Sequence, residues 1–277
     1  MSATALSPAK AEPSSGFLSI SELSVEFGGL RALDSVSMEV RDGEIVGLIG
    51  PNGAGKTTLF NAICGFIRPS SGSISYNGVA LSKRRPHDLS KLGIARTLQG
   101  VGLCHGLSLL ENVMLGAQAR LHADFASAML GIWRSSREEL RLAQSAQSLL
   151  DELGIGQYAG RYPATLPYAI QKRAALARAL NSEPTMLLLD EPASGLSDRE
   201  MSELVALVRD LTKRMGVLIV EHHMDFVTSL CHRVIVLNFG RLIADGTPLE
   251  IRANREVTTA YLGEDVREVQ DEAVADA

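Results

Sequence analysis

Cysteine, positive charge and long apolar runs are all scarce in this chain, and each shortage removes a class of protein. The three cysteines, Cys64, Cys104 and Cys231, lie far apart without CxxC or Cys/His ligand spacing. That excludes a disulfide scaffold or a zinc module, and they read as reduced, mostly buried thiols. Lysine and arginine number 27 against 32 aspartates and glutamates, a formal net charge of -5. A dedicated nucleic-acid binder is usually basic, so no nucleic-acid partner is expected. No apolar run approaches the roughly 20 residues that span a bilayer. Any work at a membrane is therefore expected to go through a partner. Residues 1–16, "MSATALSPAKAEPSSG", lack the apolar core of a secretory signal and read as a flexible lead-in. Residues 265–277 read as an acidic tail.

What is present suffices for a sizeable core: 277 residues, 45% hydrophobic. Residues 17–264 are expected to form one domain. Apolar and polar residues alternate from about residue 17 to 40, as in an antiparallel sheet. "EIVGLIG" is a compact buried strand that runs into a glycine-rich turn and a helix. Residues from about 105 to 165 are mostly helical and read as a subdomain. "MLLLDE" and "GVLIVE" then alternate with a helical segment, which implies a parallel α/β sheet. The expected fold class is therefore α/β, with a mainly parallel core sheet, an N-terminal antiparallel β subdomain and a helical subdomain.

The chemistry starts at residues 50–57, "GPNGAGKT", a full match to G-x-x-x-x-G-K-[ST]. Gly50, Pro51, Asn52, Gly53, Ala54 and Gly55 form a loop whose N–H groups can surround phosphate oxygens. The helix that follows adds its positive N-terminal end. Lys56 is expected on the β- and γ-phosphates, the Thr57 hydroxyl on Mg²⁺, and Thr58 beside it among the nucleotide-binding residues. The motif sits between a strand and a helix, as a nucleoside-triphosphate site requires, so a nucleoside triphosphate with Mg²⁺ is the expected ligand and the α/β fold is expected to be that of a P-loop NTPase.

The strand "TMLLLDEP" ends in two carboxylates. Asp190 suits Mg²⁺, directly or through water; Glu191 would face the γ-phosphate and polarise the attacking water. The strand "GVLIVEHH" ends in Glu221, His222 and His223. A histidine there is commonly structural, but beside the carboxylate strand His222 could reach the γ-phosphate. Gln99, in "ARTLQG", stays open on local chemistry: its amide could orient Mg²⁺ or water, or lie on the surface.

In order, "FGGLRAL", "GPNGAGKTT", "RTLQG", "LPYAIQKR", "LLLDEP", "SGLSD" and "IVEHH" resemble the ATP-binding subunits of ABC transporters. Within that family the chain resembles most the ATPases of branched-chain amino acid importers. The ending "GTPLEIRANREVTTAYLGE" carries part of that likeness. The resemblance implies that Phe27 stacks on adenine, where the residue alone could equally belong to the core. It implies that Gln99 links Mg²⁺ and water to the permease-facing surface and that His222 senses the γ-phosphate. Residues 194–198 would signal between two ATPase subunits. The implied partners are a second ATP-binding subunit (a different chain or a copy of this one), two transmembrane permease subunits and an extracytoplasmic solute-binding protein. The chain would sit peripherally on the cytoplasmic face of the membrane. The segment around Trp133 reads as a helix packed on the subdomain or as a contact with permease or lipid headgroups.

One segment departs from the family pattern. The resemblance places Leu166, Pro167, Tyr168, Ala169 and Gln171 against the partner's ATP, where L-S-G-G-Q is typical. Pro167 supplies neither a hydroxyl nor an N–H, Ala169 resists positive φ, and Ile170 cannot hydrogen-bond. One lost charge-assisted hydrogen bond is worth about 1.5–3 kcal/mol, roughly 10- to 150-fold. A P-loop kinase is disfavoured because nothing resembles an acceptor-binding lid. A nucleotide-gated subunit that hydrolyses little is disfavoured by the intact Glu191 and His222.

Overall fold

The computed structural model describes residues 16–82, 84–97, 100–117 and 134–261. Two strands of twelve residues open it, β1 (Gly16–Phe27) and β2 (Leu30–Arg41), paired antiparallel. Their burial alternates as the sequence does: Leu33, Val36, Met38 and Val40 are buried between more exposed neighbours, the period-2 signature of a sheet with one covered face. β4 (Ser71–Tyr76) pairs with β1, and the two-residue β5 (Val79–Ala80) closes an antiparallel sheet in the order β2-β1-β4-β5.

The second sheet has the order β10-β9-β3-β8-β7-β6. Its strands are β3 (Ile45–Ile49), β6 (Ile94–Arg96), β7 (Met186–Asp190), β8 (Gly216–Val220), β9 (Arg233–Asn238) and β10 (Arg241–Gly246). All neighbours are parallel except the edge hairpin of β9 and β10. β3, β7 and β8 are buried at every position, as expected of parallel strands covered on both faces. The three-residue edge strand β6 is too short to announce itself by periodicity.

Side chains alternate between two separate cores across this sheet. Ile45, Ile49, Leu187, Leu189, Val217 and Ile219 face one core with the helices α2 (Leu109–Gly116), α3 (Arg134–Glu152) and α4 (Tyr168–Leu180). α5 (Asp198–Leu211) and α6 (Met224–Leu230) complete that side. Val46, Leu48, Leu188, Leu218 and Val220 face the other core, with α1 (Lys56–Ile63) and the antiparallel sheet. A short helix, α7 (Pro248–Ala253), follows β10. Two buried asparagines tie the helical side together. Asn112 Nδ2 donates to the carbonyls of Cys104, Leu107 and Ser108; Asn181 Nδ2 donates to Val113 O on α2 and its Oδ1 accepts from Ser145 on α3.

Gln99 and Trp133 lie outside the described residues.

Candidate functional site

β3 ends at Ile49 and the chain turns through residues 50–55 into α1. Two glycines make that turn possible. Gly50 has φ 149, and a Cβ there would lie 2.1 Å from Leu237 O; Gly55 has φ 102, and a Cβ would lie 2.7 Å from Ala32 O. Neither position accepts an L side chain. The Lys56 ammonium folds back over the loop and donates to Gly50 O at 2.5 Å and Pro51 O at 2.8 Å. Gly55 is the N-cap of α1 and there is no side-chain cap, so first-turn N–H groups have no intrahelical acceptor. Thr57 is exposed and Thr58 partly so in that first turn. Asn52 and Gly53 are exposed, Pro51 and Ala54 buried. The β9–β10 turn forms a wall: Gly240 N donates to Ala54 O, and Phe239 beside it is 68% exposed.

Because β8 lies between β3 and β7, the ends of the three strands bring together Lys56, Asp190, Glu191 and His222. This is the carboxyl-end crevice where open α/β sheets bind ligands. Asp190, at the end of β7, is buried, and its Oδ2 pairs with the Arg96 guanidinium at 3.0 Å. Arg96 also donates to Asn61 Oδ1 at 3.1 Å and stacks over Phe60 and Phe66, 4.7 and 5.3 Å from their ring centres. Burial beside this cluster pushes the Cys64 thiol up to about 11.

Glu191 sits at φ 47, left-handed for a non-glycine residue. Its side chain is 36% exposed, with Oε1 4.0 Å from His222 Nδ1. Behind them Glu221 is fully buried, 0% exposed. Its carboxylate accepts backbone N–H bonds from Ala193 at 2.7 Å, His222 at 2.9 Å and His223 at 3.2 Å. Three donors to one carboxylate offset its desolvation and lock the end of β8 to the turn after Glu191. Glu221, His222 and His223 offer ligand atoms within 4.8 Å of one another. With both Glu221 oxygens on backbone amides, that group is a structural corner of the crevice.

The oxygen donors in the crevice suit a hard cation. Thr57 offers a hydroxyl in the first turn of α1, and Asp190 a carboxylate with only Oδ2 taken by Arg96. These residues fit a Mg²⁺ ion held beside bound phosphates.

α4 starts at Tyr168 with Pro167 as its uncapped N-cap. Ala169 lies within the helix and is not among the residues at positive φ, so its methyl carries no backbone strain. Gln171 Nε2 donates to Leu166 O at 2.9 Å, closing the helix entrance from inside. Ile170 packs on the helical-side core. Lys172, which no local pattern singles out, donates to Glu191 O at 3.0 Å and Pro192 O at 2.9 Å. Phe27 is 48% exposed at the end of β1; the alternative that it belongs to the core is excluded.

A family model for ABC transporters matches residues 33–194, and a second, described as a branched-chain amino acid ATP-binding cassette transporter, matches 241–267. The high-affinity branched-chain amino acid transport ATP-binding protein BraF of Pseudomonas aeruginosa is 37% identical over 249 residues, 89% of this chain and 98% of that protein. LivG of Escherichia coli (strain K12), which carries the same description, is 36% identical over 249 residues, again 89% and 98%. Among solved structures, an ATP-binding cassette of an ABC transporter in its ADP conformation is 28% identical, with TM-score 0.77, covering 90% of this chain and 99% of that one.

Proposed function

Since the chain belongs to the ABC transporter family, as an ATP-binding cassette, we propose that it energises an importer of branched-chain amino acids or similar small solutes. The observation that carries this is the convergence of Lys56, Asp190, Glu191 and His222 at the ends of adjacent parallel strands. The importer assignment draws on BraF and LivG, whose descriptions name branched-chain amino acid transport. A urea or amide importer is the neighbouring alternative.

In this reading the backbone N–H groups of the 50–57 loop, which Pro51 lacks, and the Lys56 ammonium bind the phosphates, and Phe27 stacks on adenine. Thr57 and Asp190 hold Mg²⁺, which would neutralise developing phosphate charge. Glu191 takes the proton of the attacking water, and His222, 4.0 Å from it, steadies that carboxylate and the γ-phosphate. Gln99 carries the state of the site to the permease. Leu166, Pro167, Tyr168, Ala169 and Gln171 face the nucleotide of the second ATP-binding subunit, through helix N–H groups and the helix dipole. Among the described residues no helix is long and apolar enough to cross a membrane. The chain is thus proposed to sit peripherally on the cytoplasmic face, held by two permease subunits supplied by a solute-binding protein.

Reconstitution of the purified importer into vesicles tests the reading. Leucine, isoleucine or valine uptake should require ATP inside the cytoplasmic compartment and disappear with Glu191→Gln. Uptake of urea or an amide in their place would move the substrate assignment; no ATP-driven uptake of any of these would refute it.

A further inference from the structure

Glu191 holds an unfavourable backbone conformation for two reasons. Its φ of 47 is left-handed, and it precedes Pro192, whose ring steers the preceding residue toward extended backbone. Such a conformation persists only where the surroundings over-determine it. On one side the grip comes from β8: Glu191 N donates to Val220 O at 2.9 Å and Ala193 N to Glu221 at 2.7 Å. On the other side it comes from Lys172, whose ammonium spans the carbonyls of Glu191 and Pro192. Pro192 has no N–H, so its carbonyl is the one main-chain hydrogen-bonding group by which it can be held.

Lys172 lies one turn past Tyr168, the first residue of α4. Its ammonium is 5.3 Å from the Tyr168 ring centre. The Cδ1–Cε1 edge of that ring approaches Gly195, where an added Cβ would lie 3.1 Å from Cε1. The start of α4 is therefore joined to residues 191–195 twice, by a charge-assisted pair of hydrogen bonds and by a ring contact.

We propose that Lys172 is a positioning residue for the water-activating carboxylate: it fixes the turn that presents Glu191 and ties it to the helix whose start faces the partner subunit's nucleotide. The idea rests on the function proposed above. Under it, a nucleotide seated on the start of α4 also steadies the hydrolytic turn of this chain's own site, so this site reads the occupancy of the other.

The importer complex, purified through this chain, tests it with Lys172→Met, which keeps length but removes all donors. Losing a charge-assisted pair should lower kcat about tenfold or more while KM for ATP stays within about twofold of wild type. Lys172→Arg, which restores a charged donor group, should recover most of the turnover, and Lys172→Gln, a milder change that keeps an uncharged NH₂ donor, should fall between. The rise in melting temperature on adding Mg²⁺ and ATP should be the same in wild type and Lys172→Met. Unchanged kcat, a parallel rise in KM, or no recovery with arginine would each overturn the proposal. A wild-type complex with no ATP turnover would overturn the functional reading and this one with it. Wild-type turnover that survives Lys172→Met would overturn this one alone.

Discussion

Arg96 shows how much of this site is built by residues far apart in the chain. It meets Asp190 across 94 positions, both side chains being largely buried. Removing one member of a buried pair strands the other, at a cost of about 3–5 kcal/mol. Arg96→Met should therefore lower unfolding stability by about that much in urea, and Asp190→Asn added to it should recover part of the loss. The loop at residues 50–57 and the carboxylates after "MLLL" were legible because their chemistry is local: adjacent residues in a fixed order make the site. Arg96, Lys172 and Glu221 were not, since their partners are set by tertiary packing over 94, 19 and 28 positions. The cysteines make a second prediction at this scale. Cys104 is exposed and Cys64 and Cys231 are buried, so a thiol reagent at pH 8 should titrate one group in the native protein and three after denaturation. Burial raises Cys64 from 9.0 to about 11 and Cys231 to about 12. The unfolded chain then loses those protons first, so stability falls as pH rises from 9 toward 11. The fall in urea midpoint over that range should be smaller in a variant with both buried cysteines changed to alanine.

Helix starts carry the next scale. α2, α5 and α7 begin with Ser108, Ser197 and Thr247, each in a capping box with the glutamate three residues on. That S/T-x-x-E spacing stands in the sequence as a local signal. Ser197 lies in the stretch 194–198 that the family likeness marks for signalling, yet its hydroxyl caps α5. Ser197→Ala should cost about 1 kcal/mol, read by denaturation, whatever it does to turnover. The hydroxyl of Ser197, and next its backbone N–H, hold the Glu200 carboxyl below its ordinary 4.5. The stability this gives is complete above the unfolded value and fades as pH falls through the lower folded one, so the deficit of Ser197→Ala should shrink in acid. α4, like α1 and α6, starts without a side-chain cap, and it is entered through Pro167. The sequence marked the start of α4 as poor in phosphate donors. Its second attachment, to the turn after Glu191, came only from the fold.

At the scale of the whole molecule the parallel strands divide the interior in two. Their uninterrupted apolar runs read plainly as buried strands, although nothing in a run such as "MLLLD" says which face meets helices and which meets the antiparallel sheet. Leu59→Ala on one face and Leu150→Ala on the other should each cost about 2–5 kcal/mol. The double variant should lose their sum within about 0.5 kcal/mol, as equilibrium denaturation would show. The assembled importer makes a further prediction. If the thinned start of α4 serves the partner's nucleotide, Glu191→Gln in this chain and the matching change in the partner should lower ATP turnover unequally; equal losses would refute that asymmetry. The partition also has an evolutionary reading. Under the proposed function, with the permease docked on the helical side, that face could be refitted residue by residue to a new membrane partner while the opposite core keeps its packing. A lineage of such subunits would then be free to change the transporter it serves without redesigning the engine.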